Sequence, residues 1–429
     1  MLDRGQYGHF AQYQVGTELR RGCWLRSRKL FLSRQYDYLS ETRYSNQIIR
    51  YRAVKKVLFV ANIHKHFLAF HLPYIQWFKD QGCEIHVAAG GDPNVTVPIA
   101  DRQFTIPIER SPFSCANIRA CRELRTIIDR EQYCLIHCHT AMGSVVARFA
   151  ARKARTKGRL KVLYTAHGFH FFKGSPKRYW MIYYPIEKYL SRYTDAIITI
   201  NQEDYDLVKT NGFHNQETYK IPGIGINTER LIITSPEIRQ QLRQEYGYRP
   251  DELILIYIAE YIPRKNHKFI IDSLPELIKR VPKIKFLFAG RGRLLEPMQS
   301  YAHTLGVDEH IDFLGFRKDI GQLIALSDIG ISASRQEGLG LNLAEEMYCG
   351  IPVVASEDRG HKELIIQNRN GILFPQMDRE AFIGAVVALA SDSVLRVRMS
   401  EFAKESMQRF VLKNALIEMT KIYQSYLYE

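Results

Sequence analysis

Short apolar runs alternate with longer amphipathic segments through the first half of the chain. The runs have the length and β-branched content of buried strands, and the segments between them have helical apolar spacing. The predicted strands of this half are VLFVA (57–61), EIHVAA (84–89), CLIHCH (134–139), KVLYTAH (161–167) and AIITI (196–200). This repeat predicts a parallel sheet with helices on both faces and with ligands at the carboxyl ends of its strands.

A second series of the same kind fills the other half. Its predicted strands are LILIYIAE (253–260), IKFLFAG (284–290), HIDFLGF (310–316), IGISAS (329–334) and PVVAS (352–356). Between the two series, KIPGIGINTERL (220–231) is rich in residues that break regular structure and suits an interdomain connection. We therefore predict an α/β protein of two doubly wound, Rossmann-like domains, residues 54–222 and 223–429, which face each other across a cleft.

The two ends of the chain differ from this pattern. Residues 1–53 are rich in Arg and Tyr and lack the apolar core of a signal peptide, so we expect a basic extension that is either disordered or an artefact of the gene model. Because bacteria can start translation at a valine codon, we hypothesise that Val54 is the native start. Residues 392–427 have helical apolar spacing, and we expect packed helices there.

Composition indicates a globular protein, with 46% hydrophobic and 24% charged residues. No uninterrupted apolar run approaches the roughly 18 residues of a membrane span, so we expect no transmembrane helix. The seven cysteines are scattered, odd in number and lack paired CxxC spacing, from which we expect a reduced, cytoplasmic protein. Cys134 and Cys138 stand beside His137 and His139, but all four lie on an apolar run typical of a buried strand, and we expect no metal there.

The net charge of +15 is unevenly distributed. Residues 1–53 carry a net +6, residues 54–222 a net +10 and residues 223–429 a net −1. This asymmetry favours an anionic partner for the first half, such as a membrane leaflet or a phosphorylated lipid. No zinc-finger, RRM-like or helix-turn-helix pattern accompanies the charge, so we expect no nucleic-acid partner.

The passage EGLGLNLAEEMYCGIPVVAS, from Glu337 to Ser356, follows a predicted strand and opens a predicted helix. Gly338 and Gly340 allow close approach of backbone to a ligand, and the free amides of a helix N-terminus attract phosphate. Glu337 precedes the helix and Glu345 lies about two turns along it. Carboxylates so placed can accept hydrogen bonds from sugar and ribose hydroxyls.

This passage closely resembles the E-x7-E signature of the retaining family 4 glycosyltransferases, which have the GT-B fold. The resemblance extends from about residue 54 to the C-terminus. It implies that Glu337 contacts the donor sugar, that Glu345 binds the ribose and that the backbone from Gly338 through Leu339 and Gly340 to Leu341 binds the diphosphate.

Other segments match the family in the same order. IAEYIPRKNH (258–267) resembles the segment that clamps the donor diphosphate, which implies this role for Lys265. Glu260 stands where an arginine is common, so half of the clamp is either lost or supplied by Arg264. FAGRGR (288–293) resembles the nucleotide-side loop and implies a contact at Gly290. The resemblance places Phe316 and Arg317 beside the base.

In the first half, TAHGFH (165–170) resembles an element that directs His167 toward the transferred sugar or the acceptor. The first loop, ANIHKHFLAFH (61–71), lacks the paired glycines of many relatives, and Asn62, His64 and Lys65 are candidate replacements on the acceptor side.

The resemblance implies transfer of a sugar from a nucleotide-diphosphate donor, such as a UDP-sugar, to a hydroxyl with retention at the anomeric carbon. We expect no metal or other cofactor, because no DxD stands in a glycine-flanked loop and basic groups can stabilise the leaving diphosphate. Residues 169–193 interleave aromatic and basic side chains, which suits either a membrane interface or a packed helix with a solvated basic face.

That segment resembles the exopolysaccharide, capsule or glycan-assembly branch, whose acceptors include polyprenyl-diphosphate-linked saccharides, and suggests peripheral binding at the inner face of the plasma membrane. Two other readings stay open: a GT-B-fold epimerase or phosphorylase, and a non-catalytic subunit that keeps the fold.

Overall fold

A computed structural model describes residues 54–428, so the predictions for residues 1–53 lie outside the described residues. The chain from Val54 onward clusters as one compact unit.

The described residues contain thirteen strands. They are β1 (Lys56–Ile63), β2 (Glu84–Gly90), β3 (Arg102–Thr105), β4 (Leu135–His139), β5 (Lys161–Ala166), β6 (Ala196–Thr199), β7 (Glu217–Lys220), β8 (Leu253–Ile258), β9 (Ile284–Ala289), β10 (Ile311–Gly315), β11 (Ile329–Ser332), β12 (Val353–Ser356) and β13 (Gly371–Phe374).

The helices of the same part of the chain alternate with these strands. They are α1 (His64–Phe70), α2 (Leu72–Asp80), α3 (Ala116–Glu131), α4 (Ala141–Thr156), α5 (Lys177–Ser191), α6 (Gln202–Thr210), α7 (Pro236–Tyr246), α8 (His267–Arg280), α9 (Leu295–Thr304), α10 (Ile320–Leu326), α11 (Leu341–Cys349), α12 (Arg359–Leu364), α13 (Arg379–Ser391), α14 (Ser393–Met407) and α15 (Leu412–Leu427).

The strands form two sheets whose paired strands are all parallel. The first sheet has the order β3-β2-β1-β4-β5-β6-β7, and the second has the order β10-β9-β8-β11-β12-β13. In each sheet the strand order reverses beside the first strand, which is where doubly wound sheets bind ligands. The predicted fold, two doubly wound α/β units, is confirmed.

All ten strands predicted from apolar runs are present, and three further strands were missed. The missed strands are β3, β7 and β13, and each lies at the edge of its sheet. An edge strand needs less apolar burial than a central one, and the sequences RQFT and ETYK contain no apolar run. The pattern of hydrophobic positions therefore found every central strand and one edge strand, β10, and missed the other three edge strands of the described residues.

The helices predicted over residues 392–427 are α14 and α15. The last helix returns to the first sheet: Met419, Ile422 and Tyr423 share an apolar core with residues of β1 and α2. The Tyr423 ring lies 4.5 Å from that of Phe78, and its hydroxyl lies 2.8 Å from Nδ1 of His137 on β4. This packing ties the C-terminal segment to the first half of the fold. Between residues 54 and 428, no helix combines the length and apolar character that a membrane crossing requires.

Candidate active site

A cavity of about 860 Å³ lies where the carboxyl ends of the two sheets meet. Its wall includes residues that follow β5 and β6 of the first sheet and residues that follow β8, β9, β10 and β11 of the second. Both sheets therefore contribute to one cleft, in the position that the topology predicts for a ligand site.

Glu337 lies in the loop between β11 and α11, and its side chain is buried under two cations. Its carboxylate pairs with the Lys265 ammonium, and its Oε2 lies 3.3 Å from Nη1 of Arg264. Burial by itself would raise the pKa of Glu337, but the charges of Lys265 and Arg264 lower it to about 2. Glu337 is thus a carboxylate at neutral pH. Glu337 and Lys265 line the cavity, whereas Arg264, predicted to help bind the donor, contacts Glu337 but is absent from the lining among residues 54–428.

The N-terminus of α11 opens onto the same cavity. Gly340 precedes the helix with φ 94°, a left-handed conformation that favours glycine, and no side chain caps the helix. The first amide groups of a helix have no partner within it, so those of α11 are available to an anion. Gly338, Leu339, Gly340 and Leu341, the residues predicted to bind the diphosphate, all line the cavity.

Glu345 lines the cavity further along α11 and pairs with the Arg230 guanidinium. Burial raises the pKa of Glu345, and Arg230 opposes that shift. Arg230 belongs to the segment 220–231 that joins the two series of strands. Arg230 was not among the site residues predicted from the sequence, although a basic residue at the end of an interdomain connection is a signal for a cleft contact.

The opposite end of the cavity is formed by loops that follow β9 and β10. The predicted residues Gly290, Phe316 and Arg317 line it, together with Arg291, which was not predicted from the sequence. The Arg291 guanidinium lies 5.1 Å from the centre of the exposed Phe316 ring. Arg317 donates to Asp319 over 2.8 Å, so its charge is partly neutralised. This part of the cavity wall therefore presents an aromatic ring, a guanidinium group and backbone groups to a ligand.

Glu260, which stands at the expected position of an arginine, is exposed and lines the cavity. Arg264 donates to the carbonyl of Gln336 over 2.6 Å as well as to Glu337, so it holds the loop that carries Glu337. Arg230 and Arg291 also lie on the cavity wall and add positive charge there.

His167 lies across the cleft, directly after β5. A Cβ atom on Gly338 would collide with the carbonyl oxygen of His167, so the two backbones are in close contact here. Burial lowers the pKa of His167 well below its usual range, and the nearby His66 adds to the shift. The imidazole is therefore neutral at neutral pH. The structure brings His167, Glu337 and Lys265 to one cavity.

The first loop differs from the expectation for the acceptor side. Asn62, His64 and Lys65 are absent from the cavity lining among residues 54–428, whereas His66 and Phe70 of the same segment are part of it. Asn62 instead accepts from Thr140 over 2.9 Å. His64 is buried with its Nε2 3.1 Å from the hydroxyl of Thr105. The first helix begins at His64, and this change from strand to helix decides which side chains face the cleft.

Direct contacts join the two halves of the cleft. Asn201 donates to the carbonyl of Gly338 over 3.0 Å, and the buried Arg359 pairs with the buried Asp204 over 2.6 Å. Asp358 accepts from the amides of Glu337 and Gly360 over 3.0 and 2.8 Å. The loop that carries Glu337 is thus fixed from both sides.

Comparisons with known proteins identify the class of protein to which this chain belongs. Residues 238–406 match the family described as Glycosyl transferases group 1, and residues 56–201 match Glycosyl transferase 4-like. The chain therefore belongs to the family 4 glycosyltransferases and is a glycosyltransferase enzyme. It is similar to the protein of Bacillus subtilis (strain 168) named glycosyltransferase EpsD, with 44% identity over 373 residues that cover 87% of this chain and 97% of the relative.

Two further relatives are more distant. The Escherichia coli UDP-Gal:alpha-D-GlcNAc-diphosphoundecaprenol alpha-1,3-galactosyltransferase is 22% identical over 323 residues, covering 73% of this chain and 82% of the relative. The crystal structure of Anabaena Alr3699/HepE in complex with UDP superposes with a TM-score of 0.70 at 21% identity, over 86% of this chain and 100% of that one. The two-domain architecture is the GT-B fold.

Proposed function

We propose that this enzyme transfers a hexosyl or N-acetylhexosaminyl group from a UDP-sugar to a hydroxyl of a lipid-linked saccharide, with retention at the anomeric carbon. One observation carries the proposal: Glu337, held by Lys265 and Arg264, lies beside the uncapped N-terminus of α11 and faces His167 across the cleft.

The donor diphosphate fits between Lys265 and the first amides of α11. Departure of the nucleotide leaves negative charge on the diphosphate, and fixed cations and amides in a water-poor cleft stabilise such charge. We propose that these groups suffice for the transfer step without a metal. Glu337 then accepts hydrogen bonds from the donor sugar, and Glu345 from the ribose.

The remaining contacts follow from the positions along the cleft. The base lies against Phe316 and the backbone near Gly290 and Arg317. His167 contacts the transferred sugar or the incoming hydroxyl from the acceptor side. Two relatives support this assignment, because HepE was solved in complex with UDP and the E. coli relative is named for a UDP-Gal donor and a diphosphoundecaprenol acceptor.

The acceptor side also has features that suit a membrane surface. On and before α5, Lys173, Lys177, Arg178 and Met181 are exposed, while the rings of Trp180 and Tyr184 pack against the core. An apolar cavity of about 440 Å³ lies along the same helix, with Phe149, Tyr183, Ile186 and Tyr189 in its wall. Basic side chains beside apolar surface are typical of peripheral membrane binding. We propose that this face binds the anionic inner leaflet and the lipid of the acceptor, within exopolysaccharide or capsule-type glycan assembly.

A donor screen tests the reaction. The protein is incubated with a panel of UDP-sugars, with and without a polyprenyl-diphosphate saccharide, and both UDP release and the anomeric configuration of the product are measured. We expect UDP release that depends on the acceptor and an α-linked product from an α-linked donor. Conversion of the donor into an isomeric sugar without acceptor would instead identify an epimerase.

Vesicle binding tests the membrane surface. Wild-type protein should sediment with anionic vesicles but not with neutral ones. Lys177→Glu with Arg178→Glu should reduce that binding at least about 30-fold, since each basic residue near an anionic leaflet contributes about 1 kcal/mol and two such contributions are lost. The matched control exchanges Lys279 and Arg280, which are exposed on α8 of the second half. Equal losses in both double variants would contradict a specific surface on α5.

A further inference from the structure

Four histidines from three separate segments converge at the acceptor side of the cleft. His66 lies on α1, His71 joins α1 to α2, His139 ends β4 and His167 follows β5. One ring nitrogen of each lies within 4.8 Å of those of the other three. Because β1, β4 and β5 are neighbours in the sheet, their carboxyl ends bring these segments together.

We propose that His66, His71, His139 and His167 together bind one divalent transition-metal cation, with Zn²⁺ as the best match. The site shares His167 with the proposed function but uses none of the groups proposed to bind the donor diphosphate, and metal binding can be tested whether or not that function is correct.

The distances suit a tetrahedral ion. Nε2 of His66 lies 3.1 Å from Nε2 of His71, and Nδ1 of His139 lies 3.4 Å from Nε2 of His167. Zinc–nitrogen bonds of about 2.0–2.1 Å place tetrahedral ligands roughly 3.3–3.4 Å apart. Two edges of the tetrahedron are thus already close to the required length, and the other distances between the four ligand atoms are no longer than 4.8 Å.

The environment of His139 is consistent with the same conclusion. His139 is fully buried, its ring stacks on that of His71 with centres 3.9 Å apart, and its Nδ1 faces Nε2 of His167. The Nδ1 lone pair can bind a cation when the ring proton lies on Nε2, which has no hydrogen-bond partner among residues 54–428. The neighbouring His137 differs, because Tyr423 and Thr165 each lie 2.8 Å from one of its nitrogens.

The donor set limits the choice of ion. Four imidazoles without a carboxylate or thiolate favour Zn²⁺, Cu²⁺ or Ni²⁺ over Mg²⁺ and Ca²⁺, which prefer oxygen ligands. A tetrahedral arrangement of four ligands favours Zn²⁺ among the first three.

The site also has a consequence for the cleft. His66 and His167 line the cleft as well as the cluster. An ion held through Nε2 of His167 leaves the proton of that neutral ring on Nδ1 and fixes the ring orientation. His167 would then face any ligand of the cleft in a single tautomer.

Metal titration of the full-length, tag-free protein tests the proposal. After chelator treatment and dialysis, Zn²⁺ is titrated in competition with a chromogenic chelator, and Co²⁺ is added separately to record its visible absorption. We expect one Zn²⁺ per chain and the intense visible bands of tetrahedral Co²⁺. Each of the variants His66→Ala and His71→Ala should weaken Zn²⁺ binding at least about tenfold, a loss comparable to that caused by removing a partner of a metal ligand.

His303→Ala serves as the matched control, since His303 is 83% exposed and lies far from the cluster in sequence. It should bind Zn²⁺ as the wild type does. His66→Ala keeps the test decisive if His71→Ala fails to fold, because His66 is only partly buried. Less than about one Zn²⁺ per five chains, octahedral Co²⁺ bands, or equal affinities of wild type and His66→Ala would overturn the proposal and leave a network of neutral, hydrogen-bonded histidines.

Discussion

Nη1 of Arg359 lies 2.6 Å from Oδ1 of Asp204, and both side chains are almost completely removed from water. Arg359 begins α12 of the second half, and Asp204 lies on α6 of the first. The guanidinium also lies 4.6 Å from the centre of the Phe172 ring and donates to the carbonyl of Phe169. This ion pair fixes the two sheets beside the loop that carries Glu337.

Breaking this pair should destabilise the protein. Arg359→Met leaves Asp204 as an uncompensated buried charge, and the expected loss in the free energy of unfolding is about 3–5 kcal/mol. Arg249→Met, which removes an exposed ion-pair partner, should cost less than about 1 kcal/mol. Urea unfolding of the three proteins measures the difference, and similar values for the two variants would show that the pair is not a significant contact.

Gly338 is predicted to tolerate no side chain. Gly338→Ala places a methyl group against the carbonyl oxygen of His167, so the cleft has to open, and we expect kcat/KM to fall at least about tenfold, as small misplacements of reacting groups can cost more than that. Gly384→Ala is the control, because it lies within α13 with open space around it and should stabilise the helix by roughly 0.5–1 kcal/mol. Full activity of Gly338→Ala would contradict the close approach.

Lys265 should contribute to the binding of UDP, which has a diphosphate, but not to the binding of uridine, which has none. Lys265→Met removes a cation from the diphosphate position and leaves Glu337 to repel that group. A hydrogen bond to a charged group is worth about 1.5–3 kcal/mol, so the Kd for UDP should rise about 10–100-fold. The Kd for uridine should stay unchanged, and so should both values in Lys268→Met, whose exposed side chain pairs with Asp272. Calorimetric titration gives these constants, and an equal loss for UDP and uridine would argue against a diphosphate contact.

The loop and helix from Glu337 to Glu345 could be predicted from local spacing, and the family resemblance added cavity residues from separate segments, among them His167 and Lys265. Glu337 to Glu345 form one loop and one helix, so their spacing is already determined by local geometry, and the structure places both in the cleft. Arg230 and His66 come from distant segments. Their presence in the cleft depends on how the chain crosses between the sheets, and the spacing of residues along the sequence does not reveal that path.

The same distinction applies to the fold. Central strands such as β8 and β9 are buried on both faces and are visible as continuous apolar runs. The edge strands β3 and β7 are held largely by hydrogen bonds to a neighbour, which leave little trace in composition. The histidines at the ends of β4 and β5 were visible in the sequence, but their convergence with His66 and His71 required the three-dimensional packing.

Glu346 should make stability depend on pH. It is fully buried against Gly330, and neither of its carboxylate oxygens has a hydrogen-bond partner within the described part of the chain. Burial raises the pKa of Glu346 well above its usual value of 4.5, and the charge of Glu345 adds to the shift. The folded protein therefore keeps a proton that the unfolded chain loses as the pH rises past that value, so stability falls with increasing pH.

Glu346→Gln removes this dependence. Its free energy of unfolding relative to wild type should increase by up to about 1.4 kcal/mol for each pH unit between roughly pH 5 and pH 7. The exposed Glu401→Gln on α14 should show no such trend. Urea unfolding across this range is the measurement, and a constant difference between Glu346→Gln and wild type would mean that Glu346 is ionised in the folded protein.

The most direct test of the proposed donor site compares two buried glutamates in the sugar-transfer assay. Glu131 resembles Glu337 in being buried under cations, Lys56, Arg102 and Arg130, and hydrogen bonds from Arg130 and Lys56 lower its pKa to about 2. It lies at the amino ends of the strands, away from the cleft. We predict that Glu337→Gln lowers kcat by roughly 10²-fold or more, because the loss of one polar group directed at the transition state has an effect of that size. Glu131→Gln should keep kcat near that of the wild type. Equal kcat values in the two variants would contradict a donor site centred on Glu337.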